Sequence, residues 1–277
     1  MEGRYNRNIL IAGFGAEGQA KLKASKVLVV GAGGLGSPAL FYLVAAGVGT
    51  IGIVDDDIVN MSNLQRQILH FTADLGRRKT DSAHEKLVAL NPEVKIETYH
   101  CRFAEDNAEK IMRGLRYDGD ALPFEEAPGL SPDGDSLLSF EASYTSPEGE
   151  YDFVVDCCDN FTTKLLINDV CVKMKKPYSH GAVIAMRGEV MTYVPGTACY
   201  RCVYDTPPED GIMPSASQAG ILGAVAGIIG NIQATETIKY LVGMNDLITD
   251  RILIADAKTM NFFSLKVKRR SSCICSY

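Results

Sequence analysis

Nowhere does this chain of 277 residues carry an uninterrupted apolar run of membrane-spanning length. The nearest approach, Ala219–Ile232, is broken by glycines and followed by Gln233, Glu236 and Lys239, so it reads as a buried core helix. A secretory signal is missing too, because Met1–Asn8 is polar and charged; the cytoplasm is the expected compartment and no membrane partner is expected. Basic charge is not in excess either. Against 34 Asp and Glu stand 28 Lys and Arg, a net charge of −6, which excludes a general electrostatic grip on nucleic acid.

What is present is enough apolar material, 46%, to bury a full core, so residues 1–277 are expected to form a single α/β domain. One stretch departs from this. Tyr117–Glu150 holds nine acids, four prolines and four glycines with no Lys or Arg, the composition of a mobile acidic insertion. A docking surface for a basic partner is its alternative reading.

The most informative stretch starts at Val27. Val27–Val30 is a short β-branched run with the pattern of a buried parallel strand. Gly31, Gly33 and Gly36 follow at the spacing Gly-x-Gly-x-x-Gly, with Gly34 between them, and Ser37-Pro38 opens a helix that ends near Gly47. A second strand, Thr50–Val54, then delivers Asp55. Such a loop lets backbone N–H groups and a helix N-terminus meet phosphate, while the terminal acid accepts from ribose hydroxyls. Beyond it lie Ser62, Asn63, Gln65 and Arg66, and then Lys79. Cations there favour ATP splitting, where charge spreads over phosphoryl oxygens, over hydride transfer. On spacing alone Arg66 and Lys79 fit a solvated surface equally well.

Further elements follow in order. Helical spacing covers Asp74–Leu90 and Ala104–Leu115, and Val94–Tyr99 and Tyr151–Asp156 read as strands. The second of these strands delivers Asp159 and Asn160 at a sheet edge where ligands bind in open α/β folds. Asp159 suits Mg²⁺, or else caps the helix starting at Phe161. Strand-like alternation at Pro177–Val194 and Arg251–Val267 flanks a long helix, Ala219–Val242. Gly220, Gly223, Gly227 and Gly230 give that helix a smooth face for sheet or partner. Of eight cysteines, Cys157, Cys158 and Cys171 sit in apolar surroundings as core thiols. Cys199-Tyr200-Arg201-Cys202 is half of a tetrahedral zinc site, with a redox pair as the competing reading.

Arg4–Arg7, Gly31–Gly36, Asp55–Asp57, Ser62–Gln67, Lys79 and Asp156–Asn160 follow one another in the order and spacing of a known family. On these motifs the chain resembles the ubiquitin-activating-enzyme-like adenylyltransferases of the ThiF/MoeB/HesA type. The likeness spans nearly everything except Tyr117–Glu150. It implies a Rossmann-like, doubly wound, mainly parallel sheet with a mixed or antiparallel C-terminal extension. It implies ATP as substrate, Mg²⁺ on Asp159, and Arg66, Lys79 and Asn63 on the phosphates. Arg7 would reach the phosphates of a second subunit in a homodimer. The family's second cysteine pair lies where Cys273-Ile274-Cys275 stands, one residue short of its usual spacing, implying a structural zinc on Cys199, Cys202, Cys273 and Cys275. Where the family often has Arg, this chain has Lys164. The carried-over substrate is a small ubiquitin-like sulfur carrier ending in Gly-Gly. Thiol-forming relatives place a cysteine where Ala216 stands here, so the reaction is expected to stop at the acyl-adenylate. Two rivals are a nicotinamide-dependent oxidoreductase and a non-catalytic carrier-binding scaffold.

Overall fold

Val27–Val30 sits at the middle of the molecule because its side chains are apolar on both sides. Val27 and Val29 enter one core cluster, Leu28 and Val30 the other. A strand apolar on both faces must be covered on both, which calls for helices above and below the sheet. The structure, a computed structural model, describes residues 3–115, 149–206 and 216–277. The expected insertion 117–150 falls outside them, apart from its last two residues.

Two short helices, α1 (Asn6–Ile9) and α2 (Gly15–Ala24), lead into β1 (Lys26–Val30). Then come α3 (Gly36–Ala46), β2 (Thr50–Val54), α4 (Lys79–Leu90), β3 (Lys95–Tyr99), α5 (Ala108–Met112) and β4 (Phe153–Asp156). The remainder comprises α6 (Phe161–Lys173), β5 (Tyr178–Ile184), β6 (Arg187–Tyr193), α7 (Tyr200–Val203), α8 (Ala216–Ala219), α9 (Gly223–Val242), β7 (Arg251–Asp256) and β8 (Asn261–Lys266). The strands form one eight-stranded sheet in the order β3-β2-β1-β4-β5-β6-β7-β8. The first five in that order run parallel, and β6, β7 and β8 are antiparallel additions. This is the expected doubly wound sheet with an antiparallel extension. Helices α2, α3 and α9 cover one face, and α5 and α6 cover the other. The order in which strands are added reverses between the parallel neighbours β1 and β4, so the crevice beyond their carboxyl ends is the place for a ligand.

Three helix expectations need correction. The stretch Asp74–Leu90 is helical only from Lys79. Gly76 adopts a left-handed φ of 82°, and the Asp74 carboxylate instead accepts from the Phe71 N–H at 2.7 Å, closing a separate turn. Ala104–Leu115 shrinks to Ala108–Met112, because Asn107 Oδ1 turns back onto the Ala104 N–H at 2.9 Å. The long helix starts at Gly223, not Ala219, since Gly220 is left-handed and Ile221 pairs with Ala185 as an isolated bridge. Two of its glycines, Gly223 and Gly230, meet loop backbone rather than the sheet. A Cβ on Gly223 would lie 2.5 Å from the Gln65 carbonyl oxygen, and one on Gly230 would lie 2.3 Å from that of Leu35. The helix thereby packs onto the loops that build the site. Among the described residues no helix is long and apolar enough to cross a membrane.

Candidate active site

The glycine loop follows β1 directly. Gly31 has φ 102° and leaves no space for a side chain, because a Cβ there would stand 2.7 Å from the Cys157 carbonyl oxygen. Gly36 is as constrained, its Cβ falling 1.9 Å from the Gly31 oxygen. These two glycines are required by packing. Gly33 is not: its Cβ would meet only the Gln67 side chain, at 3.5 Å. Several of the loop's other groups have partners. Ala32 N–H donates to Asp55 Oδ2 at 2.8 Å, and the Gly33 carbonyl accepts from the Ser37 N–H at 2.9 Å and its hydroxyl at 2.7 Å. No described residue accepts from the N–H groups of Gly33 or Gly34. Two unclaimed donors at a helix N-terminus, beside a glycine that packing does not demand, form a cradle for an anion.

Around this cradle the expected site residues converge unevenly. Asp55 is nearly buried, and burial raises its carboxyl above the usual range, opposed by Lys79 and by the N–H groups of Ala32 and Asp57. Lys79 is buried at the start of α4, so the solvated-surface reading fails for it. Its ammonium lies 2.7 Å from Asp57 Oδ2 and 3.9 Å from Asp55 Oδ1. Arg66 is half-buried, with its methylenes against Gly34 and its Nη1 donating to the Ser62 carbonyl at 2.9 Å. That bond stays within one turn and leaves the rest of the guanidinium uncommitted. Asn63 Oδ1 accepts from the Asn60 N–H at 3.1 Å, fixing the turn that presents Arg66. Ser62 and Gln65 are exposed, the latter reaching the Ile221 carbonyl at 3.4 Å. Arg7 lies on the exposed side of α1.

Asp159 follows β4, two residues beyond the carbonyl that Gly31 touches, so its turn is held against the glycine loop. It caps nothing. The cap of α6 is Asn160, whose Oδ1 accepts from the Thr163 N–H at 2.9 Å. Asp159 is exposed and makes no hydrogen bond or ion pair with a described residue. A carboxylate delivered to the ligand crevice without a structural task fits Mg²⁺, which takes one or two carboxylates and keeps its waters. Beneath it is a buried ionic cluster of which the sequence singled out Asp156 and Lys164 but neither their pairing nor His180. Lys164 donates to both oxygens of Asp156, at 3.2 and 3.1 Å, and to the Gly181 carbonyl at 2.7 Å. His180 Nδ1 lies 2.8 Å from Asp156 Oδ2, and the Cys158 N–H donates to Oδ1 at 3.1 Å. Burial opposes ionisation of Asp156, yet Lys164 and His180 hold its carboxyl below the usual range. A lysine suffices here because its three donors spread over two partners on different strands.

Gln67 and His70 were also missed. Gln67 is buried, its amide oxygen without a partner, beside the open position at Gly33. The only available signal was their place in the same short segment as Arg66.

Away from the crevice, the four sulfurs of Cys199, Cys202, Cys273 and Cys275 lie within 4.8 Å of one another. Cys199 and Cys273 are 3.5 Å apart, as are Cys202 and Cys275. These separations are too long for disulfides, and four sulfurs about 2.3 Å from one ion would stand ~3.8 Å apart. Burial pushes Cys199 well up and Cys275 to about 11, a cost that a bound dication removes by taking thiolates. The short Cys-x-Cys spacing therefore does not prevent four thiols from converging.

This geometry defines an α/β protein with an anion cradle at the switch point of a doubly wound sheet and a four-thiol knuckle away from it. More narrowly, the chain belongs to the ThiF family, whose model matches residues 5–276. It is 37% identical over 276 residues to "Adenylyltransferase and sulfurtransferase MOCS3" of Culex quinquefasciatus, covering 99% of this chain and 55% of that protein. It is 37% identical over 270 residues to "SAMP-activating enzyme E1" of Haloferax volcanii, covering 98% of this chain and 87% of that one. The chain thus spans about half the length of the MOCS3 relatives. Among solved structures, E. coli MccB with ATP superposes with a TM-score of 0.76 at 22% identity, over 99% of this chain and 74% of MccB, a likeness of fold.

Proposed function

We propose that this chain adenylates the C-terminal glycine carboxylate of a small ubiquitin-like sulfur carrier ending in Gly-Gly. The carrier carboxylate attacks the α-phosphorus of ATP, the bond from that phosphorus to the β-phosphate bridging oxygen breaks, and pyrophosphate leaves. A carboxylate is already ionised near neutral pH, so no general base is needed. The work left to the protein is alignment and charge neutralisation. The observation that carries this reading is the pair of unclaimed Gly33 and Gly34 N–H groups, flanked by Arg66 and Lys79. Relatives named as adenylyltransferases and as an E1 support it.

In this reading Asp55 takes the ribose and Asn63 and Arg66 the phosphates, while Lys79 turns from Asp57 toward them. Asp159, with Asn160 shaping its turn, would hold Mg²⁺, which supplies further neutralisation of the triphosphate when bound. Ser62 and Gln65 complete the rim. The four-thiol site would hold zinc, with no coordination position left for chemistry. With Ala216 where a thiol would be needed, the product is the acyl-adenylate, and sulfur comes from another protein. The protein works in the cytoplasm as a homodimer.

Pyrophosphate exchange into ATP is the direct test. It should require both Mg²⁺ and the carrier, and calorimetry should detect Mg-ATP but not NADH; exchange that ignores the carrier, or NADH binding in its place, overturns the reading. The subunit arrangement has its own outcome. If Arg7 acts across the dimer, subunits carrying Arg7→Ala mixed with subunits carrying Asp159→Ala should recover exchange that neither has alone. No recovery after verified subunit mixing would confine Arg7 to its own chain.

A further inference from the structure

His70 lies buried between the glycine loop and α4, and both of its ring nitrogens have polar partners. Its Nε2 is 3.0 Å from the Ala32 carbonyl oxygen. A carbonyl only accepts, so Nε2 carries the proton and Nδ1 must be the acceptor. Nδ1 lies 2.8 Å from the Ser82 hydroxyl, which donates to it. That hydroxyl in turn accepts from the Lys86 ammonium at 2.9 Å, and Lys86 is paired with Asp74 at 2.6 Å. The donors therefore run in one direction from Lys86 through Ser82 and His70 to Ala32. On its other side Ala32 gives its N–H to Asp55. Ala32 is thus gripped at both ends of its residue, immediately before the two unclaimed N–H groups.

We propose that His70 is a positioning residue for nucleotide binding, holding the Ala32 carbonyl so that the glycine loop keeps Gly33 and Gly34 N–H groups free for phosphate. This rests on the nucleotide reading of the loop, though not on which protein is adenylated. The imidazole acts here in its neutral form, because a charged ring would set a buried cation beside Lys79 and Lys86 and would reverse the bond with the Ser82 hydroxyl. Burial keeps it neutral by lowering its pKa to about 4, against the bond to the Ala32 carbonyl, which favours the charged ring; Lys79 and Lys86 push with burial and Asp74 pushes against it. The loop is thereby set before the ligand arrives, so phosphate does not have to order it.

His70→Phe fills the space without a donor, and His70→Gln offers an amide N–H to Ala32. With Phe, the Kd and KM for Mg-ATP should rise by about tenfold, the cost of one lost hydrogen bond that leaves a buried carbonyl unpaired. The KM for the carrier should stay unchanged, and Gln should restore most of the ATP affinity. A packing role alone would lower the Tm of both variants and leave the KM for ATP where it was. Imidazole ¹⁵N shifts of the wild-type protein at neutral pH provide a reading independent of any variant. They should show the neutral ring protonated on Nε2; the opposite tautomer, or an imidazolium, overturns the proposal. Failure of the wild-type protein to bind Mg-ATP sinks the nucleotide reading and this inference together. Wild-type binding that His70→Phe leaves intact sinks only the inference.

Discussion

Arg66→Ala and Asp159→Ala should each cut carrier-dependent pyrophosphate exchange by about a hundredfold or more while leaving the protein folded. The magnitude follows from charge: removing one preorganised group that meets developing negative charge costs ~3 kcal/mol of barrier. The intact fold follows from what each side chain touches. Arg66 Nη1 bonds within its own turn, to the Ser62 carbonyl, and Asp159 bonds to no described residue. Neither replacement leaves a buried group unpaired, so stability should stay within about 0.5 kcal/mol of the wild type, as for surface substitutions generally. The two variants should differ in their kinetics. Loss of Arg66 should lower kcat more than it raises the KM for ATP, if its guanidinium meets charge that appears only as the bridging bond breaks. Loss of Asp159 should instead flatten the dependence on Mg²⁺ concentration. Wild-type rates in either variant, with the Tm preserved, would remove that residue from the site.

Lys79→Ala is the contrasting case. Lys79 is buried against Asp55 and Asp57, so its removal leaves the nearly buried Asp55 without its nearest cation. Activity and stability should fall together, which is why Lys79 is a poorer probe of mechanism than Arg66.

These differences mark where sequence reasoning reaches and where it stops. The glycine loop, Asp55 and the turn after β4 were legible because strand, loop and acid follow one another within a few residues, and the periodicity of Val27–Val30 and Thr50–Val54 fixes their ends. The doubly wound order of the sheet was implied by the family resemblance that those motifs carry. What could not be foreseen depends on partners far apart in the chain. Whether Lys79 meets solvent or Asp57 depends on where α4 begins, and that is set by the turn at Asp74 and Gly76, which breaks the apolar spacing taken as one helix. Choosing Asn160 over Asp159 as the cap is a matter of one residue in register, below the resolution of any propensity. His70 and the cluster of Asp156, Lys164 and His180 are ordinary polar residues in sequence. Burial alone makes them important, and burial is a tertiary property.

Removal of a metal from the four-thiol site should be the second large effect, acting on stability. Cys199 precedes α7 and Cys202 lies within it, while Cys273 and Cys275 belong to the turn at Ile274–Ser276, so the ion would close a loop across a separation of 74 residues. Treated as a cross-link, a closure of that length stabilises by ~4 kcal/mol through the unfolded chain's entropy. For a protein of this size that corresponds to a fall in Tm of about 10 °C. Purified protein should release about one zinc per chain on thiol modification, and a strong chelator or Cys275→Ser should lower the Tm by that amount. The knuckle is tied to α6, where Arg201 pairs with Asp169 at 2.6 Å and the Tyr200 N–H donates to Asn168 Oδ1 at 2.9 Å. Those ties do not pass through the ion. Below the new midpoint the stripped protein should therefore still bind Mg-ATP. A zinc-free protein with undiminished Tm would leave the four thiols as a packed cluster, and immediate loss of ATP binding on chelation would move the ion from scaffold to site.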